Sequence, residues 1–421
     1  MPKSRAGVLM ALVRTVAAAA VIYLIWWVID RYRRDVNPVD YSVYRAGSHA
    51  AWSDVLDYHH NLQVMYEPSG LGMPFTYTPF AGLVLRPTTW LDYRTGFVVW
   101  GLFMVAALFA VIWMVLPASC PARWSVALVA TAIASQTAPV AQHIGIGQIN
   151  LLLLLLVVAD LVRSPDSRLG RTLPPGVLIG VAAAIKLTPL LFLPFFLIAR
   201  RWRMLAWCMG TVVACFAVAA AIAPRSSRSF FSYGIWHLTD SVTLGRSAGL
   251  SGNGSLTGLL AYAGAGHAIA SLLVVPVAVA GLGLARLADR SHGLLDAGLV
   301  VSALACMVSP VTWMHHWVPL IPAAVVLLAR PGWYSRASGL VVFAMLLGAA
   351  PGVGQQLIND GPWLWLPGLF MREGPLIAAT IAVVALSLGG VCSQTAQDLP
   401  AEASRSRRNM SADLLACKVF G

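Results

Sequence analysis

The sequence predicts an all-α polytopic membrane protein of roughly a dozen transmembrane helices. The first observation behind this is composition: the 421 residues are 58% hydrophobic and only 11% charged, with a mean hydropathy of +0.73. That is too little polar surface to coat a water-soluble globule of this size, so lipid must cover the rest. The second is spacing: apolar stretches near spanning length recur from residue 8 to residue 391, leaving no room for a separate soluble domain. A single membrane domain, 1–392, is therefore expected, followed by a polar tail, 393–421, expected to be disordered and cytoplasmic.

Lys3 and Arg5 precede an apolar run from Val8 to Ile29. The run ends in Trp26-Trp27-Val28-Ile29-Asp30 without the small residues of a cleavage site, so it is expected to be an uncleaved first span. Next comes a polar stretch, 30–72, with Asp35, Asp40, Asp54, Asp57, Glu67, His59 and His60. Residues 74–88 suit either a short span or a re-entrant piece. Further spans are expected at about 95–116, 124–140, 149–163, 176–199, 204–223, 266–287, 294–309, 316–329, 337–354 and 374–391. The 176–199 run has Lys186 near its middle and Pro189 and Pro194 in its second half, a pattern that fits two short segments meeting at Lys186.

The formal charge of +12 sits in short clusters between apolar runs, not in a stripe with interleaved aromatics, which argues against a nucleic-acid partner. The clusters at Arg163/Arg168/Arg171, Arg200/Arg201/Arg203, Arg286/Arg290, Arg330/Arg336 and Arg405/Arg407/Arg408 all fall on one side, the cytoplasm, if 176–199 is a hairpin. The polar loops 30–72, 224–256, 309–316 and 355–373 then face outward, and function is expected there. The six cysteines are scattered without metal-type spacing, so neither a disulfide framework nor a zinc site is expected.

Three places combine polar chemistry with an unusual setting. Asp40, just past the first span, would sit where a lipid-borne substrate presents its headgroup, and a carboxylate there can take a proton from an attacking hydroxyl. With Asn37 capping and Pro38 in the first turn, Asp40 and Tyr44 would share a helix face, although an acid at a helix start is also simply favoured by the dipole. Lys186 lies in an apolar run, where a phosphate headgroup would partner it and where snorkelling from a helix end is the alternative. The third is Ser309-Pro310-Val311-Thr312-Trp313-Met314-His315-His316-Trp317. Either histidine can hydrogen-bond a phosphate or a sugar hydroxyl, yet Trp and His are also ordinary interface residues, and neighbouring positions point about 100 degrees apart. Gln148 and Asn150 suit helix capping as well as ligand contact, and Asn253-Gly254-Ser255 suits a turn into a short helix as well as a glycosylation sequon. Asp160, near Arg163, is expected to be structural.

In order and spacing these segments resemble the polyprenyl-phosphate-mannose-dependent mannosyltransferases of glycosyltransferase family 87, which have the GT-C membrane fold. The resemblance rests on Val39-Asp40-Tyr41-Ser42-Val43-Tyr44, Pro74-Phe75-Thr76-Tyr77-Thr78-Pro79, Gly147-Gln148-Ile149-Asn150-Leu151, Ala184-Ile185-Lys186-Leu187-Thr188-Pro189 and Ser309 to His316. Thr78 departs from it, since a proline is expected there. The resemblance implies inverting transfer of mannose from a β-linked polyprenyl-phosphate donor, outside the plasma membrane, to a mannose-containing glycolipid or lipoglycan, with an α-1,2 linkage. Phosphatidylinositol mannosides, lipomannan and lipoarabinomannan are the acceptors of its mycobacterial members. It further implies Asp40 as the catalytic base, Lys186 with His315 or His316 on the donor phosphate, and Tyr44, Tyr77, Gln148 and Asn253 as substrate-binding neighbours. The polyprenyl chain would lie among the helices and membrane lipids, and no cofactor or metal is implied. The rival from another class is a transporter or flippase of a polyprenyl-linked sugar, which predicts midplane binding residues and two related halves, neither of which is evident here.

Overall fold

The computed structural model describes residues 5–33, 38–64, 72–164, 166–243 and 252–388. Apart from one isolated bridge between Leu62 and Met73, the regular structure among them is helical. The chain runs through α1 (Arg5–Arg33), the amphipathic α2 (Val39–Trp52), the short α3 (Pro79–Val84), α4 (Tyr93–Val115), α5 (Arg123–Ala134), α6 (Ala138–Ile146), α7 (Asn150–Val162) and α8 (Arg168–Thr172). Then come α9 (Val177–Ile185), α10 (Phe192–Ile198), α11 (Trp202–Ile222), α12 (Pro224–Ser232), α13 (Leu238–Thr243) and α14 (Leu256–Tyr262). The last six are α15 (His267–Ser291), α16 (Leu294–Val308), α17 (Leu320–Ala329), α18 (Trp333–Gly348), α19 (Pro351–Asp360) and α20 (Trp365–Leu388).

Five helices among the described residues are long and apolar enough to cross a bilayer, or seven if two bent pairs, α5–α6 at 80° and α18–α19 at 77°, are each one span. This count is lower than the dozen expected because α7, α16, α17 and the 188–198 segment are apolar but short. The protein is thus a multi-pass membrane protein whose core helices are partly broken. Residues 74–88 do not cross: α3 is six residues long and is followed by a 3₁₀ turn, Arg86–Thr89. The stretch expected as one span at 124–140 ends instead at a corner, where Thr137 and Pro139 start a new helix in a new direction. The 393–421 tail and Asn37 lie outside the described residues, and α2 begins at Val39 with Pro38 in the cap position.

Polar pairs pin several helix ends together. The Asp160 carboxylate accepts the backbone N–H groups of Gly176 (3.0 Å) and Ile179 (3.1 Å) and pairs with Arg163 (3.2 Å), joining the end of α7 to the start of α9. Gly176 is at φ +101° and packs against the Met204 carbonyl, so α9 and α11 start side by side. Arg201 and Arg286 both hold Asp289 of α15, and Arg330 after α17 holds Asp296 at the start of α16. These contacts gather four of the arginine clusters at one end of the bundle. They also make the segment from Gly176 to Trp202 a hairpin, because it begins and finishes at that end with Lys186 at its tip.

Asp160 is almost fully buried, so its replacement by alanine leaves the Arg163 charge without its counter-ion and two backbone donors unpaired in an apolar setting. Breaking a buried ion pair of this kind costs about 3–5 kcal/mol. Asp160→Ala is expected to lower, by several degrees, the temperature at which detergent-solubilised protein loses its monodisperse peak, whereas Asp166→Ala, on the neighbouring surface, leaves it unchanged.

Candidate active site

At the other end of the same helices, α2, the 73–78 strand-like segment, the start of α7, the hairpin tip and the 309–316 turn surround a cavity of about 810 Å³. Its polar wall carries Asp40, Tyr77, Gln148, Asn150, Lys186, His315 and His316. An apolar arm continues along Leu153, Leu154 and Val157 of α7, Leu191 and Phe192 of the hairpin, and Ala305 of α16.

Each polar residue is placed by a break in helical structure. Gly147, at φ +76° and packed on Tyr41, ends α6 in the left-handed conformation, which turns Gln148 inward before α7 begins. Lys186 takes an extended conformation (φ −139°, ψ 131°) between α9 and the 3₁₀ turn that Pro189 starts. Thr78, where the family pattern suggested proline, caps α3 by accepting the Ala81 N–H (3.1 Å) and donates to the Ala184 carbonyl (2.5 Å), tying the tyrosine segment to the hairpin beside Lys186.

Gln148 is the hub. Its Oε1 accepts from the Tyr44 hydroxyl (2.9 Å), the Tyr77 hydroxyl (3.1 Å) and the Ile149 N–H (3.0 Å). Its amide nitrogen faces His315 Nε2 at 3.2 Å, and the side chain lies close enough to Asp40 to favour the ionised carboxylate. His315 is itself fixed: its backbone N–H donates to Gln142 Oε1 (3.0 Å), and Nδ1 lies 3.1 Å from the same oxygen. That acceptor puts the ring proton on Nδ1 and leaves Nε2 to accept from Gln148. Gln142, His315 and Gln148 thus form a chain beside Asp40. Burial pushes the Asp40 carboxyl up to about 6, against the opposing pull of the Lys186 charge and the Gln148 amide.

His316 turns the other way. Its Nδ1 accepts the Trp313 N–H (3.2 Å), so the neutral ring carries its proton on Nε2, and that atom is 3.2 Å from Lys186 Nζ. Burial, reinforced by the Lys186 charge, holds His316 well below the usual histidine range and therefore neutral. Two donors thus face each other, an arrangement that an oxyanion accepting from both would satisfy. Lys186 also donates to Asn150 Oδ1 (3.0 Å) and stands 5.3 Å from the centre of the Tyr77 ring.

The fold therefore brings Asp40, Tyr77, Gln148, Lys186, His315 and His316 to one cavity. Tyr44 is fully buried just behind it, its hydroxyl 2.8 Å from that of Tyr77. Asn253 stands apart from the cavity wall. Its Oδ1 accepts from the Thr312 N–H (2.9 Å) and the Ser255 hydroxyl (2.9 Å), and its amide donates to the Pro310 carbonyl (3.1 Å), so it braces the turn that carries the histidines. These side-chain bonds are those of the turn reading, and Ser255 caps α14. Sequence reasoning passed over Gln142. Its signal was an amide inside an apolar run, readable only once the corner before α6 is known.

Comparison with known proteins agrees over most of the chain. A family-wide sequence profile described as Glycosyltransferase family 87 matches residues 75–310, more than half of the chain, with Asp40 lying before that stretch and His315 and His316 after it. A Mycobacterium tuberculosis protein named polyprenol-phosphate-mannose-dependent alpha-(1-2)-phosphatidylinositol mannoside mannosyltransferase is 29% identical over 81% of this chain and 82% of its own length. A Mycolicibacterium smegmatis protein of the same name is 30% identical over 77% of this chain and 78% of its own length. Another from that organism, named for phosphatidylinositol pentamannoside, is 30% identical over 70% of each chain. No solved structure matches. With the profile spanning the tyrosine segment, the Gln148 hub and the Lys186 hairpin alike, and the relatives matching most of the chain, the chain belongs to glycosyltransferase family 87.

Proposed function

We propose that this glycosyltransferase moves mannose from polyprenyl-phosphate-mannose to a mannose-bearing phosphatidylinositol glycolipid, forming an α-1,2 linkage on the outer face of the plasma membrane. The observation that carries the reading is a cavity with Asp40, the one carboxylate among its described lining residues, on one wall and two converging donors, Lys186 and His316, on another. The names of the relatives supply the donor and the acceptor class.

In this reading the leaving phosphate lies between Lys186 Nζ and His316 Nε2, and the polyprenyl chain follows the apolar arm past Leu154 and Phe192. Asp40 accepts the proton of the acceptor hydroxyl as that oxygen attacks the anomeric carbon from the face opposite the phosphate. The carbon–oxygen bond to phosphate breaks in the same displacement, which inverts a β-mannosyl donor to an α product. Gln148, locked by His315 and Gln142, stands beside Asp40 and favours its ionised form. The outer-face placement is supported by the helix ends: α7, α9, α16 and α17 carry arginine clusters at one end and site residues at the other.

The test is transfer by purified full-length protein from synthetic polyprenyl-phosphate-mannose to phosphatidylinositol mannosides, with polyprenyl-phosphate-glucose and GDP-mannose as competing donors. The expected product carries one added mannose removable by an α-1,2-mannosidase. Transfer from GDP-mannose, or a product resistant to that enzyme, would overturn the reading.

A further inference from the structure

The helix α12 departs from α11 at Pro224 and has one face fully used. Ser226 Oγ accepts the Leu56 N–H (3.1 Å), and Ser229 Oγ accepts the Tyr58 N–H (2.9 Å) while donating to Asp57 (2.8 Å). Phe230 is buried beneath them. The opposite face is exposed and carries Arg225 and Arg228, neither of which makes an ion pair among the described residues. The nearest acid, Asp54, feels Arg225 but accepts the Ser226 N–H beneath the helix start. Beside the arginines Phe231 is half-exposed and packs edge-on against Phe216 of α11, a helix whose most apolar stretch is only 22% buried and therefore meets lipid. Trp236 is 76% exposed, with its indole fixed by a bond to the Phe231 carbonyl (3.1 Å). The flanking Ile235 and Leu238 already line the active-site cavity. One short surface thus joins the lipid-facing side of the bundle, two exposed arginines without an ion pair among the described residues, and the cavity rim.

We propose that the exposed face of α12 and the turn after it dock the acceptor lipid, with Arg225 and Arg228 on the phosphodiester of an anionic glycerophospholipid and Phe231 and Trp236 in the acyl boundary beside it. Two arginines followed by exposed aromatics, on a short helix beside a lipid-facing one, have the composition for this. The dock holds the glycerophosphate end of the acceptor while its sugars reach over Ile235 and Leu238 toward Asp40. It rests on the reading that the acceptor is a phosphatidylinositol glycolipid.

The test separates the two ideas by measuring binding without turnover. Purified full-length protein is titrated with dioctanoyl phosphatidylinositol and dioctanoyl phosphatidylcholine and followed by native mass spectrometry. Wild type is expected to prefer the anionic lipid, Arg225→Ala/Arg228→Ala to lose that preference by roughly fivefold for each arginine removed, and Arg225→Lys/Arg228→Lys to keep it. In transfer assays the ratio of kcat/KM for the glycolipid to that for a water-soluble α-mannoside falls by the same factor in the alanine variant. Equal affinity of wild type for both lipids, or an alanine variant with the wild-type preference, overturns the dock. A lipid preference with the expected arginine dependence but no transfer to any acceptor upholds the dock and overturns the function proposed above. Should the double alanine variant aggregate, Arg228→Gln against Arg228→Lys gives the same contrast.

Discussion

Asp40→Asn is expected to lower kcat for mannose transfer by roughly 10²–10⁴-fold, the range over which a positioned general base contributes, while the donor still binds with wild-type affinity. Asparagine keeps the size of the side chain and an oxygen for the Gln148 amide, so the cavity retains its shape and only the proton acceptor is lost. The same residue sets the pH dependence. A carboxyl pushed up to about 6 is protonated below that pH and cannot take the acceptor's proton. Wild-type kcat/KM is therefore expected to rise with pH to a plateau above about 6. The Lys186 charge opposes the upward push on Asp40, so removing it moves that limb to higher pH. An Asp40→Asn variant with full turnover would move the base elsewhere in the cavity, and a flat profile between pH 5 and 8 would remove the carboxyl from the rate equation.

The next largest effect is expected at the hairpin tip. Lys186→Met removes the cation that faces His316 Nε2 across 3.2 Å, and with it the charge that meets the departing phosphate. Losing one such stabilising donor in a water-poor site costs roughly 10²–10³-fold in rate. Donor binding should fall as well, because the phosphate is charged before and after transfer. Since Lys186 and His316 act on one oxyanion, their losses should not add: His316→Ala in the Lys186→Met background is expected to cost much less than it does alone. Isothermal titration with a short-chain polyprenyl phosphate reads the binding part directly, and wild-type affinity in Lys186→Met would sink the phosphate assignment.

How far these residues can be found without a structure depends on whether the signal is local. The long helices α1, α4 and α11 are legible because each carries its apolar run in one piece. The hairpin was half legible, since a lysine between apolar runs with two prolines after it marks a break, but whether the halves fold back depends on Met204 meeting Gly176. The corner between α5 and α6 was missed because hydropathy continues across it; only Thr137 and Pro139 hinted at a new start. Asp40, Tyr77, Gln148, Lys186, His315 and His316 could be named from their settings, but their mutual contacts span from about 70 to 167 positions of sequence and follow only from helix packing. The division of labour between the two histidines was the least legible part. It is decided by Gln142 on one ring and the Trp313 N–H on the other, neither of which the sequence pattern distinguishes. Asn253 shows the reverse case, where a polar residue in the right loop turns out to hold the loop itself.

A segment that enters and leaves at the same end adds nothing to the tally of crossings. A hydropathy profile scores the apolar run around Lys186 as one passage through the bilayer, and that single miscount reverses the compartment assigned to everything after it. Asp40 lies before the run and keeps its place, while His316 lies after it and is sent to the opposite side. Two residues that the fold sets on one cavity would then be assigned to different solvents, separated on paper by a membrane. For relatives known only as sequences, the parity of this one run decides whether the carboxylate and the cation pair can be recognised as parts of a single site.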